Sequence, residues 1–283
     1  MSSLAPFQDT VGRDKESDSA ESENLKKYRR DGYLVIDLGL ELDLINECAA
    51  DTQKFLGEYV RIQDLWRRSE SVKNLAKHPK VLAVLSELYD RRPFPFQTLN
   101  FTVGTQQRTH ADTHFFNSFP ERYMCGVWVA LEDIDAGNGP LHYFRGSHTQ
   151  PILSGAQMEA QGFSNFNDYF EHTSQNFEKK YGIIKKGEAV IWSAHVLHGG
   201  EVISDPSRSR LSQVTHYFFD NCVYSSPILS EPERGHVQFR RPYDISTDKF
   251  VDGEYKGKKI WPGLREYLNG PYYNLKKFVP KWK

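Results

Sequence analysis

The stretch RTHADTHFF, residues 108–116, places His110 and Asp112 at positions i and i+2, with His114 close behind. In an extended segment, side chains at that spacing leave the same face, so an imidazole and a carboxylate converge on one small target such as a metal ion. A His-x-Asp pair is also common on wet loops, so the pattern needs a third ligand. GEAVIWSAHVLHGGEVISDPSRSRLSQVTHYFF, residues 187–219, offers His195 and His198. His198 is favoured because it abuts Gly199 and Gly200, which let backbone approach a crowded centre. Two histidines and one carboxylate form the facial triad that holds Fe(II) and leaves positions open for a cosubstrate and O2. Beyond His198, Arg210 opens a strand-like run and suits the far carboxylate of 2-oxoglutarate with a planar, bidentate cation. Arg208 competes for that role but sits in the turn after Asp205 and Pro206, whereas Arg210, Ser212, Val214 and His216 share one strand face.

The remaining candidates each carry an ordinary alternative. His114 lies on the face of His110 and Asp112 if the strand continues, as a substrate contact or a structural histidine. His148, in RGSH, reads as a turn histidine, and His216, late in a strand, as core. Gln107 and Asn100 precede the His-x-Asp pair on a strand entering the pocket and are candidate cofactor or substrate contacts, against a plain solvated strand face. Trp128 by itself reads as core.

The elements that must position these residues change texture along the chain. Residues 1–24 are rich in Ser, Asp and Glu and too poor in apolar side chains to offset their ordering entropy, so a disordered tail is expected. GYLVID (32–37) reads as a short buried strand. LDLINECAADTQKFLGEYV (42–60) and HPKVLAVLSELYD (78–90) carry apolar residues at helical spacing. From about 94 to 144 the alternation has period two, as in FQTLNFTV and YMCGVWVALED, broken by DAGNGP. A polar, helix-favouring insert over about 156–181 precedes the strands EAVIWSA and RLSQVTHYFF. Helices followed by many short strands predict an α+β chain, residues 25–283, whose sheets close as a sandwich or barrel. In the extension from about 225 to 283, aromatics are expected to dock on the domain while lysines stay solvated.

At 283 residues and 39% hydrophobic, the chain can bury one large core or two small ones, and one domain with elaborations is expected. Its formal charge of −1 gives no global attraction to nucleic acid or to an anionic membrane, which leaves a small molecule as the expected partner and the oligomeric state open. Cys48, Cys125 and Cys222 form no CxxC pair or secretory framework, and neither an apolar run of membrane length nor a signal-like start is present. A reducing, cytoplasmic setting is therefore expected.

The segments DGYLVI (31–36), HAD (110–112), VWVALEDIDAGNGPLHYFRGSH (127–148), HGG (198–200) and RLS (210–212) together resemble the phytanoyl-CoA dioxygenase family of Fe(II)/2-oxoglutarate-dependent oxygenases. The resemblance implies a double-stranded β-helix, a cupin-like jelly roll with N-terminal helices packed on one sheet. It also implies His110, Asp112 and His198 as iron ligands, Arg210 with Ser212 as the 2-oxoglutarate anchor, and Trp128 as a pocket wall. The expected activity is hydroxylation of an unactivated C–H bond in an acyl-CoA, amino acid or natural-product intermediate, using Fe(II), 2-oxoglutarate and O2. Halogenating relatives carry a small residue where Asp112 stands, so halogenation is not expected. In place of the family's proline before Gly-Ser-His the chain has Arg145, which alters a turn and leaves the chemistry alone. The alternative is a cupin-like metal-binding isomerase or binding protein that uses no 2-oxoglutarate and does not need Arg210.

Overall fold

Helix α1 (Glu23–Asp31) starts at Ser22, whose side chain accepts from the Leu25 amide, and stops at Gly32, in the left-handed region at φ 81°. Caps of this kind satisfy the backbone groups that a helix end leaves open, typically for about 1 kcal/mol. The computed structural model describes residues 21–56, 59–151, 153–260 and 279–280. Most of the expected tail, and residues 261–278 of the aromatic and lysine-rich end, lie outside the described residues. Three further helices follow before the main strands: α2 (Leu42–Leu56), α3 (Glu70–Ala76) and α4 (Pro79–Tyr89). Pro79 sits in the first turn of α4, where its missing N–H is harmless.

The strands as far as Phe219 are β1 (Tyr33–Asp37), β2 (Tyr59–Gln63), β3 (Pro93–Phe101), β4 (Asn117–Phe119), β5 (Met124–Ala130), β6 (Leu141–Arg145), β7 (Glu178–Tyr181), β8 (Glu188–Ser193), β9 (His198–Gly200) and β10 (Ser212–Phe219), with short strands after them. The larger sheet runs β1-β8-β5-β10-β3-β2, with Val279–Pro280 pairing onto its far edge, and its ladders are antiparallel. The smaller sheet runs β7-β6-β9. Period-two alternation sorts the larger sheet's residues between two cores. Val127, Val129 and Ile191 face the helices, packing with Tyr28, Ile45, Val72 and Leu85. Trp128, Val190, Trp192 and Val214 face inward, meeting Tyr143 of β6 and Ile184. This is the jelly roll, with the helices on one sheet.

Three local expectations are corrected. The strand expected to carry His114 past Asp112 ends there, because Asp112–His114 forms a turn of 3-10 helix. The insert is helical only over α5 (Gly155–Ala160) and α6 (Phe166–Ser174); Glu178–Tyr181 is strand β7, hydrogen-bonded to β6. The run read as one helix to residue 60 ends at Leu56, and Tyr59–Gln63 is strand β2. The three cysteines are free and buried. No described helix is long and apolar enough to cross a membrane.

Candidate metal centre and anion pocket

His110 and His198 belong to different segments but pair directly, each backbone N–H donating to the other's carbonyl at 2.9 Å. Strand β9 can lie this close to residues 107–110 because residue 199 is glycine: a Cβ there would stand 2.6 Å from the Gln107 carbonyl oxygen and 2.8 Å from the His142 ring. Ala111, between the two early ligand candidates, is extended at φ −122° and ψ 133°, so His110 and Asp112 do present side chains to one side. His110, Asp112 and His198 each offer a ligand atom, all within 4.8 Å of one another.

The hydrogen bonds around the triad fix its protonation. Nδ1 of His110 lies 2.9 Å from the Arg108 carbonyl, and Nδ1 of His198 lies 2.9 Å from that of Val196. A carbonyl only accepts, so each Nδ1 donates and each Nε2 keeps its lone pair for the centre. Burial lowers the pKa of both rings, that of His110 to about 4, and keeps them neutral. Burial alone would raise Asp112, but His198, His216 and His110, with the Trp192 N–H, outweigh it and hold the carboxylate ionised. Trp192 donates to Asp112 Oδ2 at 2.9 Å. Its indole has room because residue 126, on the neighbouring strand, is glycine; a Cβ there would stand 2.3 Å from the ring. Two neutral imidazoles and one carboxylate, each oriented by a second partner, are a donor set that fits a divalent first-row metal.

Arg210 is 5% exposed and donates from one guanidinium nitrogen to Ser212 Oγ at 3.3 Å, while its Nε has no hydrogen-bond partner among the described residues. Burial lowers its pKa to about 10, against a smaller opposing pull from Glu132. Glu132 does not pair with it. Its two oxygens take the Leu211 N–H and the Ser209 hydroxyl, both at 2.6 Å, and so hold the loop that delivers Arg210. Phe101 and Trp128 each lie with their ring 5.4 Å from the guanidinium carbon, and Trp128 Nε1 is itself unpartnered among the described residues. A buried cation in an aromatic slot without a carboxylate fits an anionic ligand. Arg208 instead stands in the solvated turn, bound to Asp135 at 2.7 Å.

The other candidates divide. Gln107 Nε2 lies 3.1 Å from His110 Nε2, directly at the centre. Asn100 faces the helices, bonded to Thr52 and Gln213, because Leu99 and Phe101 take the inward phase of β3. His114 packs against Phe166 and Phe170 of α6, with ring centroids 4.1 and 4.8 Å away. His148 is the turn histidine expected, with Nε2 3.0 Å from the Arg29 carbonyl. His195 is buried away from the triad, 3.4 Å from the Thr113 hydroxyl. His216, read as core, is the residue that the sequence reading missed: its Nε2 stands 3.7 Å from Asp112 Oδ2, and its Nδ1 is 2.9 Å from Gln97. Arg108 was also missed. Its side chain ties Glu171 of α6 to the segment carrying His110, while its carbonyl orients that ring.

A sequence profile described as phytanoyl-CoA dioxygenase matches residues 28–210. Among curated proteins, the chain is 28% identical over 172 residues to the peroxisomal phytanoyl-CoA dioxygenase of Bos taurus, covering 59% of this chain and 48% of that protein. It is 29% identical over 143 residues to phytanoyl-CoA dioxygenase domain-containing protein 1 of Danio rerio, covering 48% and 49%. The chain thus spans about half the length of the curated relatives it matches. Two solved structures share the fold. One is the epimerase SnoN, crystallised with Fe3+, alpha ketoglutarate and nogalamycin RO, with TM-score 0.62, 20% identity and coverage of 80% and 96%. The other is EctD from S. alaskensis with 2-oxoglutarate and 5-hydroxyectoine, with TM-score 0.63, 17% identity and coverage of 79% and 85%.

Proposed function

The chain belongs to the phytanoyl-CoA dioxygenase family, and from that premise we propose that it is a non-haem Fe(II)/2-oxoglutarate-dependent oxygenase that hydroxylates an unactivated C–H bond of a small molecule. The observation that carries the reading is the pairing of a neutral His, Asp, His triad with a buried arginine that lacks a carboxylate of its own. In this reading His110, Asp112 and His198 hold the metal. Bound Fe(II), with 2-oxoglutarate and O2, supplies the oxidising power, and succinate and CO2 are the by-products.

The chain's own part is placement. Arg210 and Ser212 take the distal carboxylate of 2-oxoglutarate, and Trp128 and Phe101 exclude water around that ion pair, which strengthens it. Gln107, whose amide lies 3.1 Å from His110 Nε2, would donate to an oxygen of a group held at the metal. Trp192 holds the Asp112 carboxylate at its post; with that anion in place, chloride has neither the room nor the charge deficit it needs, so the product is not halogenated. The 25–283 region serves as one oxygenase unit, with α6 tied through Glu171 to Arg108 of the segment carrying His110. A cupin-like protein that ignored 2-oxoglutarate would leave the Arg210 charge buried without use.

The test is an anaerobic titration with Fe(II) and 2-oxoglutarate, then a screen for substrate-stimulated succinate release in air. Metal binding that survives His110→Ala and His198→Ala unchanged, or no succinate above the metal-free blank, refutes the reading.

A further inference from the structure

Behind the metal ligands, on the face of the smaller sheet that turns Phe144, Ala111 and Leu197 toward α6, lies a row of side chains with no task in the site described above. The antiparallel bridge that sets His110 opposite His198 also sets Thr109 opposite Gly199, and β6 continues the row by pairing His142 with Gly199. Successive residues of extended backbone alternate between faces, so Thr109 and His142 stand on the side away from the triad. The His142 ring fills the space that a side chain at residue 199 would take, since a Cβ there would stand 2.8 Å from its Nε2 and Cε1. It thereby reaches Thr109, whose hydroxyl lies 3.0 Å from His142 Nε2. On the other side of the ring, Nδ1 lies 2.7 Å from Glu201 Oε1, and Glu201 is paired in turn with Lys179 of β7. Burial lowers the pKa of His142 to about 4, with Lys179 adding to it and Glu201 opposing, so the ring is neutral. A carboxylate only accepts. Nδ1 therefore carries the proton, Nε2 keeps its lone pair, and the Thr109 hydroxyl donates to it.

The segment 107–110 brings much of the centre with it: the Gln107 amide beside His110 Nε2, the Arg108 carbonyl that accepts from His110 Nδ1, and His110 itself. Three backbone hydrogen bonds join it to β9, from His110 to His198, from His198 to His110 and from Gly200 to Gln107, each at 2.9 Å. Its ion pair from Arg108 to Glu171 has both side chains half exposed or more, and such pairs hold little. The contact from Thr109 to His142 is different, because His142 is 6% exposed and is itself fixed through Glu201 to β7. We propose that Thr109 and His142 are positioning residues of the metal centre: the His142 ring, held by Glu201 and reaching across Gly199, takes the Thr109 hydroxyl and so sets where the segment presents His110. This rests on the proposed function for His110 as a metal ligand.

The experiment titrates Co(II) into the parent and four variants and follows the metal's visible spectrum. Thr109→Val replaces the hydroxyl by a methyl, Thr109→Ser keeps it, His142→Phe keeps a ring without an acceptor, and the fourth variant combines Thr109→Val with His142→Phe. The expected result is that Thr109→Val and His142→Phe each weaken Co(II) by about ten-fold and alter its spectrum, as the loss of an outer hydrogen bond behind a ligand does. Thr109→Ser binds and absorbs as the parent does. The double variant is no weaker than the weaker single one, because both changes remove the same contact. A part in packing alone would lower the melting temperature and leave the spectrum of the bound metal as it was. Thr109→Val with the parent's affinity and spectrum, Thr109→Ser as impaired as Thr109→Val, or losses that add in the double variant each overturn the assignment. If His142→Phe does not fold, the valine and serine variants decide by themselves. If the parent takes up no Co(II), the proposed function fails and the positioning role with it, whereas a parent that binds Co(II) no better than Thr109→Val does sinks the positioning role alone.

Discussion

Replacing Arg210 by methionine separates binding from stability in opposite directions. Burial holds the guanidinium down at about 10, still well above any working pH, so the side chain is charged in the folded protein without a carboxylate to offset its desolvation. For a base whose folded pKa lies below its unfolded value, folding disfavours the charged form. The penalty is therefore present throughout the range below pH 10. At 1.36 kcal/mol per unit, it is on the order of 3 kcal/mol in the ligand-free protein. Arg210→Met removes that penalty and keeps most of the stem, so the ligand-free variant melts no lower than the parent, and up to several degrees higher, at roughly 2–4 °C per kcal/mol for a chain approaching this size. The same change removes the ion-pair partner proposed for the distal carboxylate, a loss of about 2–5 kcal/mol, or roughly 30- to 4,000-fold in affinity. Arg208→Met is the control. Arg208 is 36% exposed and pairs with Asp135 at the surface, where such pairs contribute about 0–1 kcal/mol, so its loss leaves 2-oxoglutarate binding intact. Calorimetric titration of 2-oxoglutarate into the Ni(II)-loaded proteins, with melting curves of the unliganded ones, reads both effects. If the two variants lose 2-oxoglutarate equally, or Arg210→Met keeps its affinity, the placement of the anion pocket is wrong.

His110→Ala and His198→Ala each weaken Co(II) binding by more than about ten-fold, followed in the metal's visible spectrum, while His195→Ala, whose ring lies outside the triad, does not; parity among the three refutes the ligand set. Gly126→Ala pushes a methyl into the Trp192 ring that donates to Asp112, lowers stability by about 1–3 kcal/mol and weakens metal binding; an unchanged melting temperature would show that the indole is not confined as described. Stability is also expected to fall in acid. His110, His114, His142 and His148 are held at about 4 mainly by burial, so the unfolded chain binds more protons than the native one. The native advantage is full above the ordinary histidine value of about 6.5, is lost progressively as pH falls from there towards 4, and shows as a steep drop in melting temperature over that window. A flat melting temperature between pH 7 and 5 contradicts it.

What the sequence could show of this site followed from how far each feature reaches along the chain. His110 and Asp112 are legible because two residues of extended backbone are enough to set their direction, and His198 because the glycine after it marks a close approach. Arg210 was separable from Arg208 because the turn signalled by Asp205 and Pro206 takes Arg208, whereas Arg210 leads into the strand. Where phase had to be carried further, it failed. Asn100 was one candidate for a pocket contact, yet the residue beside it, Phe101, is the one that faces inward; a slip of one residue inverts a strand. His114 would share the ligand face only if the strand continued, and nothing in ADTHFF announces that the chain tightens into a 3-10 turn at Asp112. His216 lies deeper than this limit. His216 reaches Asp112 because β10 is registered against β3 with Gln97 opposite it. Register is a property of two segments and of everything that packs on them, so a side chain whose position depends on it looks like any other polar residue in its own strand. A side chain such as His216 is of this kind, whereas the candidate metal ligands are set by short-range backbone, and for that reason the triad was legible before its surroundings.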